Sequence, residues 1–174
     1  MSTIQDYYEP QLPTLLFSLH PQPAAAIEAG DKVLEFRRRF YSRAFQAFIY
    51  TTGKQGGIGS YVQCAPAITA APAVLGQLGA KLQGDDPQST MAYLAPASTG
   101  LAIPVTTVIT FEPVRLANLK AQFPNFVAPR SYVFLDRPQR RAQLAYLLDQ
   151  DCQTVHQNKD VLSRIKHVLS NPDQ

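Results

Sequence analysis

The 174-residue sequence has little charge and few cysteines. Charged side chains make up 17% of the residues and the formal net charge is only +3, so the chain lacks the strong positive field of many nucleic-acid-binding domains. Any attraction for anions must come from a local cluster of cations. A chain of this length can bury a core without disulfides, and Cys64 and Cys152 are far apart in sequence. We expect both to be free thiols in a reducing compartment.

Long apolar runs and metal-ligand spacings are also missing. The richest apolar segment, residues 101–111, is interrupted by Pro104 and threonines and is shorter than the ~20 residues of a membrane helix. The first 13 residues include acidic side chains and no basic run, unlike a secretory signal. We expect a cytoplasmic protein that does not contact membranes. The three scattered histidines predict no metal site, and we expect no cofactor.

Short segments of strand and helix alternate along the chain. Their close spacing predicts a small sheet or barrel with helices around it. Strands are predicted at Thr14–His20, residues 32–40, Ala44–Thr52, residues 58–68, Leu101–Phe111 and Ser131–Leu135. Helices are predicted from Pro23, over Pro72–Gly84, near Met91–Ala95, over residues 113–123 and in the C-terminal segment, whose leucines are helically spaced.

Residues 35–40, EFRRRF, place three arginines beside one carboxylate. Strand alternation puts Leu34 and Phe36 on an apolar face and Glu35 and Arg37 on the opposite face. On that second face the carboxylate can orient the guanidinium group, which is a good donor to phosphate oxygens. The alternative is a solvated, charged strand end that discourages pairing with other chains, and Arg38 fits that alternative better.

The order of several motifs resembles the ASCH domain, a member of the PUA-like superfamily. The motifs are LLFSLHP, IEAGDKVLEFRRR, FIYTTG, PVRLANLK and APRSYVFL. The resemblance implies a mainly β, α+β fold: a PUA-like pseudo-barrel with capping helices, here followed by a C-terminal helical extension. It covers residues 14–135, which leaves residues 1–13 as a loose lead-in and residues 136–174 as the extension.

The resemblance also implies a small basic cleft that binds single-stranded RNA or a nucleotide. Matching positions of the family would border this cleft at Ser18, His20, Lys32, Glu35, Arg37 and Ser131. Tyr50 and Tyr132 are candidate stacking surfaces for an unpaired base, although strand tyrosines are more often packing residues. The expected function is therefore an RNA- or nucleotide-binding module.

A small hydrolase is the alternative function. Some ASCH proteins are amidohydrolases that act on acetylated cytidine with a lysine, a threonine and a glutamate. Here Lys32 matches the lysine, but Glu35 stands in the threonine position and Gln63 near the glutamate position, and neither can take over the missing role unchanged. A ribonuclease that uses Lys32, Glu35 and Arg37 stays open.

The C-terminal segment has a third possible role in protein interaction. Its leucines have enough apolar surface to pack on the barrel, and charges of both signs lie between them. We expect it to cover the barrel of a monomer. A dimer through the C-terminal helices is the alternative.

Overall fold

The computed structural model describes residues 1–173. Within that range, eight strands form one curved, mixed sheet that carries six α-helices. The strands are β1 Thr14–Leu19, β2 Leu34–Arg37, β3 Phe45–Thr51, β4 Gly57–Cys64, β5 Ile68–Ala70, β6 Gly100–Arg115, β7 Tyr132–Phe134 and β8 Cys152–Gln157. The helices are α1 Pro21–Glu28, α2 Pro72–Gln83, α3 Pro87–Leu94, α4 Leu116–Gln122, α5 Arg141–Leu148 and α6 Val161–Ser170. The α+β architecture predicted from the sequence is confirmed.

The long strand β6 organises the sheet. It has 16 residues, rich in the β-branched side chains that favour strands. Its first half pairs with β2 and β5, and its second half pairs with β4 and β8. The order β2-β6-β4-β3-β1-β7 continues the sheet from there. Strand β6 therefore connects β2 and β5 to the rest of the sheet.

Strand β1 is parallel to β3 and antiparallel to β7. The parallel pairing requires a crossover, which α1 and β2 provide. Helix α1 begins at Pro21, whose fixed φ suits a first turn, and the chain leaves it through Gly30 at φ +83°, a conformation that favours glycine. The β1–α1 turn and β2 thus lie side by side.

Three apolar clusters hold the layers together. The first contains Phe48, Tyr61 and Phe111 with Leu147 of α5, and the second packs β1, α1 and β3 around Val108. The third joins β2 to α2 and α6, and includes Leu75, Leu78, Val161 and Ile165. Both C-terminal helices therefore pack on the sheet, as their leucine spacing predicts.

The structure differs from the sequence predictions at the start of α4 and in the C-terminal segment. The predicted helix opened by Pro113 begins only at Leu116, because β6 runs through the proline. The pairing of β4 with β6 shifts register between Ile58 and Ser60, and an irregular position of this kind tolerates a proline without an N–H. The C-terminal segment also contains β8, so it is not purely helical.

The N-terminal residues, expected to be a loose lead-in, are fixed to the sheet. Ile4 is completely buried, and a 3₁₀ turn spans Ile4–Tyr7. The buried Gln46 side chain connects this segment to β3. Its Nε2 donates to Glu9 O at 2.7 Å and its Oε1 accepts from the Tyr61 hydroxyl at 2.6 Å.

Each helix in residues 1–173 is too short or too polar to cross a lipid bilayer.

Replacing Gln46 with leucine should lower the free energy of unfolding by about 2–4 kcal/mol. The substitution keeps the volume but removes the acceptor of Glu9 N and the short acceptor of the Tyr61 hydroxyl, at about 1–3 kcal/mol for each buried group. Urea denaturation measures the loss. Gln122→Leu, at an exposed position, is the control and should change stability little. A Gln46→Leu protein as stable as the control would contradict this role.

Candidate ligand-binding cleft

A cleft of about 620 Å³ lies between β2, the β1–α1 turn and the turn that joins α2 to α3. Its volume falls in the range of small-molecule sites. Five residues predicted from the sequence meet in it: Ser18, His20, Lys32, Glu35 and Arg37. Further lining residues are Leu19, Pro23, Phe36, Thr52, Asp85, Asp86, Ser89, Thr90, Tyr93 and Arg130.

The Glu35 carboxylate forms the floor of the cleft. Glu35 is only 7% exposed, and a buried carboxylate is costly unless it is paired. Lys32 Nζ lies 3.5 Å from Glu35 Oε1, and Arg37 Nε donates to Glu35 Oε2 at 3.2 Å. The alternation of β2 puts Glu35 and Arg37 on the same face, as predicted. Both carboxylate oxygens thus have a cationic partner.

The Arg37 side chain is fixed by several contacts. Its guanidinium group lies 5.0 Å from the Phe40 ring and 5.7 Å from the Phe17 ring, which are cation–π distances. One terminal nitrogen donates to Ser18 O at 3.0 Å. Arg37 therefore ties β2 to the end of β1 with two of its five N–H donors.

The β1–α1 turn supplies neutral polar groups. The Ser18 hydroxyl donates to Pro129 O at 2.5 Å, so it is used within the protein. His20 Nδ1 lies 3.3 Å from Thr52 Oγ1, which leaves its other ring nitrogen available. Helix α1 begins beside the cleft, but Pro21 has no N–H and Pro23 likewise cannot donate. The start of α1 is consequently a weak anion site.

The α2–α3 turn forms a second wall, which the sequence prediction missed. Helix α2 ends at Gly84, whose φ of +71° favours glycine. Asp85 and Asp86 follow. Asp86 caps α3: its Oδ2 accepts from Ser89 N at 3.2 Å and from Ser89 Oγ at 2.7 Å. These hydrogen bonds lower the pKa of Asp86. An Asp before Pro and Ser is a recognisable cap signal, but only the fold shows that it lines the same cleft as Lys32.

Arg38 attaches the end of α3 to the end of β2. Its Nε donates to Tyr93 O at 2.6 Å, and its guanidinium group lies 5.1 Å from the Tyr93 ring. Tyr93 lines the cleft and is 45% exposed. Arg38, interpreted from sequence as a solvated strand end, therefore positions an aromatic wall of the cleft.

Three predicted residues lie outside the cleft lining. Tyr50 is 4% exposed and packs near Phe126 in the first apolar cluster, where burial raises the pKa of its hydroxyl. Tyr132 packs against Phe40, with ring centroids 4.6 Å apart. Ser131 is exposed, and only its backbone oxygen reaches β1, as the acceptor of Ser18 N at 3.1 Å. The two tyrosines are packing residues here.

Gln63, the position matched to a catalytic glutamate, also lies away from the cleft. Its Nε2 donates to Tyr7 O at 2.9 Å, on the side of the sheet that holds the N-terminal segment. The arrangement of an acetylcytidine amidohydrolase is therefore not assembled around Lys32 and Glu35.

Charge in the cleft is balanced rather than basic. Three cations, Lys32, Arg37 and Arg130, accompany three carboxylates, those of Glu35, Asp85 and Asp86. The sequence predicted a basic cleft because Asp85 and Asp86 lie about 50 positions after Glu35, and no local pattern indicates that they fold next to it. The resulting site has a cationic side and an acidic side.

Solved structures share this architecture. A crystal structure of ASCH from Zymomonas mobilis is 24% identical, covers 79% of this chain and 97% of its own, and superposes with a TM-score of 0.68. A variant of that protein with a serine replaced by alanine is 23% identical, with coverages of 82% and 100% and a TM-score of 0.69. No protein-family model and no curated protein matches the sequence.

The protein has the ASCH fold. The resemblance seen in the sequence motifs and the superposition agree on an α+β, PUA-like half-barrel.

In this example of the ASCH fold, the Gln83 side chain takes the place of a neighbouring strand along the open edge of β2. Strand β2 pairs with β6 on one side, and the Gln83 amide pairs with its other side. Gln83 Oε1 accepts from Val33 N at 2.8 Å and Leu34 N at 2.9 Å, and its Nε2 donates to Leu34 O at 3.2 Å. The same Nε2 donates to Asp85 Oδ2 at 2.7 Å. One side chain thus connects both walls of the cleft.

Replacing Gln83 with alanine should loosen β2 and one wall of the cleft. The buried amides of Val33 and Leu34 lose their acceptor, so unfolding should become easier by about 2–4 kcal/mol. Their hydrogen exchange should accelerate more than that of the core strand β4. Gln88→Ala, exposed on α3, is the matched control. Unchanged exchange at Val33 and Leu34 would contradict the role assigned to Gln83.

Proposed function

We propose that this protein binds a nucleotide-sized ligand in the cleft, either a free nucleotide or one unpaired nucleotide of single-stranded RNA. The observation that carries the proposal is the meeting of Lys32, Glu35 and Arg37 with the turn at Ser18 and His20 in one hollow of about 620 Å³. A mononucleotide is a ligand of matching size.

The cationic side suits a phosphate group. Lys32 has a side chain that is 17% exposed and pairs with one oxygen of Glu35, so two of its three protons stay available. Arg130 is exposed and lines the cleft, and its planar guanidinium group can donate twice to a phosphate. The free nitrogen of His20 completes this side. Arg37 supports the arrangement by orienting Glu35.

The opposite side suits a base or a ribose. The carboxylates of Asp85 and Asp86 each have one oxygen outside the hydrogen bonds described above, and such an oxygen can accept from an exocyclic amino group or a sugar hydroxyl. The Tyr93 ring lines the same region and, at 45% exposure, offers flat apolar surface. Stacking of a base on an aromatic ring contributes about 1–3 kcal/mol.

The balance of charge favours a short ligand over a long RNA backbone. Every additional phosphate would need a cation, and the lining offers three against three carboxylates. Binding should therefore have a small salt dependence. For single strands the slope of log K against log salt is about −0.7 for each neutralised phosphate, so a slope no steeper than about −2 is expected.

The proposal is tested by titrating the protein with nucleoside monophosphates and a short fluorescent single-stranded RNA. Lys32→Met should weaken binding by about tenfold or more, because a charge-assisted hydrogen bond contributes about 1.5–3 kcal/mol. Lys120→Met is the matched control, since Lys120 is exposed on α4 and outside the cleft lining, and should bind like the unaltered protein.

Two results would reject the cleft as the binding site. One is equal weakening by Lys32→Met and Lys120→Met, which would indicate diffuse attraction to surface charge. The other is the absence of binding to every nucleotide and to the RNA when the circular dichroism spectrum shows a folded protein.

A hydrolase acting on RNA or modified nucleosides is the second candidate, and the close pair of Lys32 and Glu35 in the cleft favours it. Incubation with single-stranded RNA and with acylated nucleosides should then give product, and Glu35→Gln should lose at least 100-fold in rate, the lower part of the usual range for acid–base groups. Binding without product, in both assays, would leave the binding module as the function.

A further inference from the structure

A second hollow, of about 390 Å³, lies between the last turn of α2 and one side of α6. Its volume is within the range of small-molecule sites, and it shares no lining residue with the cleft. In residues 1–173, three of its six lining residues are basic and none is acidic. The lining consists of Lys81, Leu82, Ser163, Arg164, His167 and Val168.

The cations of this hollow have no carboxylate partner among residues 1–173. The ion pairs in that range both involve Glu35, in the cleft. Asp160, one turn before Arg164 on α6, is exposed and lies outside the lining. Because the whole chain has a net charge of only +3, Lys81 and Arg164 together form a large local excess of positive charge.

Both cations keep donors for a ligand. Arg164 donates from one terminal nitrogen to Leu82 O at 3.1 Å, which uses one of its five N–H donors. Lys81 Nζ donates to Pro172 O at 3.4 Å and has two further protons. Six charged N–H donors thus stay available beside one hollow.

His167 adds a neutral donor. Its Nδ1 lies 3.5 Å from Asn171 Nδ2, and an amide nitrogen only donates, so Nδ1 accepts and the neutral ring carries its proton on Nε2. The Ser163 hydroxyl is not available as a donor, because it donates to Asp160 O at 2.9 Å.

Basic residues near helix ends often serve only to interact with the last carbonyl groups. Here backbone donors take that role. Gly84 N donates to Ala80 O at 3.0 Å at the end of α2, and Asn171 N donates to His167 O at 3.1 Å at the end of α6. Most donors of the two cations are therefore not needed to cap the helices.

We propose that this hollow binds the phosphate group of a small soluble molecule. The bond to Leu82 O leaves one complete edge of the Arg164 guanidinium group, which can donate to two phosphate oxygens. Lys81 supplies a compact charge for a third oxygen. Val168, which is half-buried in the lining, offers apolar surface to the carbon skeleton of a phosphate monoester.

The exposed leucines of α6 favour a soluble phosphate over the headgroup of a membrane lipid. Leu162 and Leu169 are 50% and 40% exposed, and a helix at a membrane surface would insert such side chains into lipid. At 3.6 residues per turn, each lies about 200° of helical rotation from a basic lining residue, Arg164 or His167. A membrane that covers the leucines would therefore face away from the hollow.

A nucleotide should occupy the cleft before this hollow. Among residues 1–173 no aromatic ring lines the hollow, whereas Tyr93 lines the cleft. Stacking on that ring adds affinity for a base. The hollow therefore suits phosphate compounds without a base.

An NMR titration of the labelled protein with inorganic phosphate, at constant ionic strength, tests the proposal. Backbone amides of residues 163–168 should show saturable shifts. Lys81→Met and Arg164→Gln should each weaken binding about tenfold or more, because a hydrogen bond to a charged group is lost. The glutamine amide can still donate to Leu82 O. Lys166→Met is the matched control, since Lys166 is exposed on α6 outside the lining, and should bind phosphate normally.

Lys32→Met separates the hollow from the cleft and should leave the shifts of residues 163–168 unchanged. The proposal is wrong if phosphate shifts no amide in that range, or shifts only amides around the cleft. Equal weakening by Lys81→Met and Lys166→Met would also reject it, because it would indicate diffuse attraction to surface charge.

Co-sedimentation with vesicles of phosphatidylglycerol and phosphatidylcholine distinguishes the source of the phosphate. We expect no binding of the protein to these vesicles. Vesicle binding that Lys81→Met abolishes, without any response to inorganic phosphate, would assign the hollow to a lipid headgroup and overturn the soluble ligand.

Discussion

Burial of the Glu35 carboxylate is the constraint on which the cleft depends. An ion removed from water needs partners of opposite charge, and here Lys32 and Arg37 supply them from the same short segment. Their positions are fixed in turn: Arg37 donates a hydrogen bond to Ser18 O and lies beside two aromatic rings. The ionic group therefore determines where β2 lies relative to β1, and the hollow between them follows from that arrangement.

The two walls of the cleft depend on hydrogen bonds from one shared side chain. Strand β2 has four residues and one neighbouring strand, so its outer edge needs hydrogen bonds from elsewhere. Gln83 supplies them and also holds Asp85. The link explains why an acidic turn lies opposite a cationic strand. A site with both signs of charge is better suited to one nucleotide than to a run of phosphates.

The sequence was informative wherever local pattern determines structure. Alternation along β2 correctly put Glu35 and Arg37 on one polar face, and the motifs around β1, β3 and β7 indicated the ASCH fold. The acidic wall was missed because a helix cap at Asp86 has the same local signal whether or not it faces a cleft. Strand β8 was missed because CQTVHQ has no alternating apolar residues to bury. Tyr50 illustrates the converse: its strand position was recognised, but only the packing shows that its ring points into the core.

The most direct test of the central claim is an NMR titration of the labelled protein with a nucleoside monophosphate, followed by backbone amide shifts. The account predicts the largest, saturable shifts at amides around the cleft, near His20, Lys32, Thr52 and Asp86, with little change on α4 and α5. Shifts that map to another surface, or none at concentrations where the protein stays folded, would contradict it.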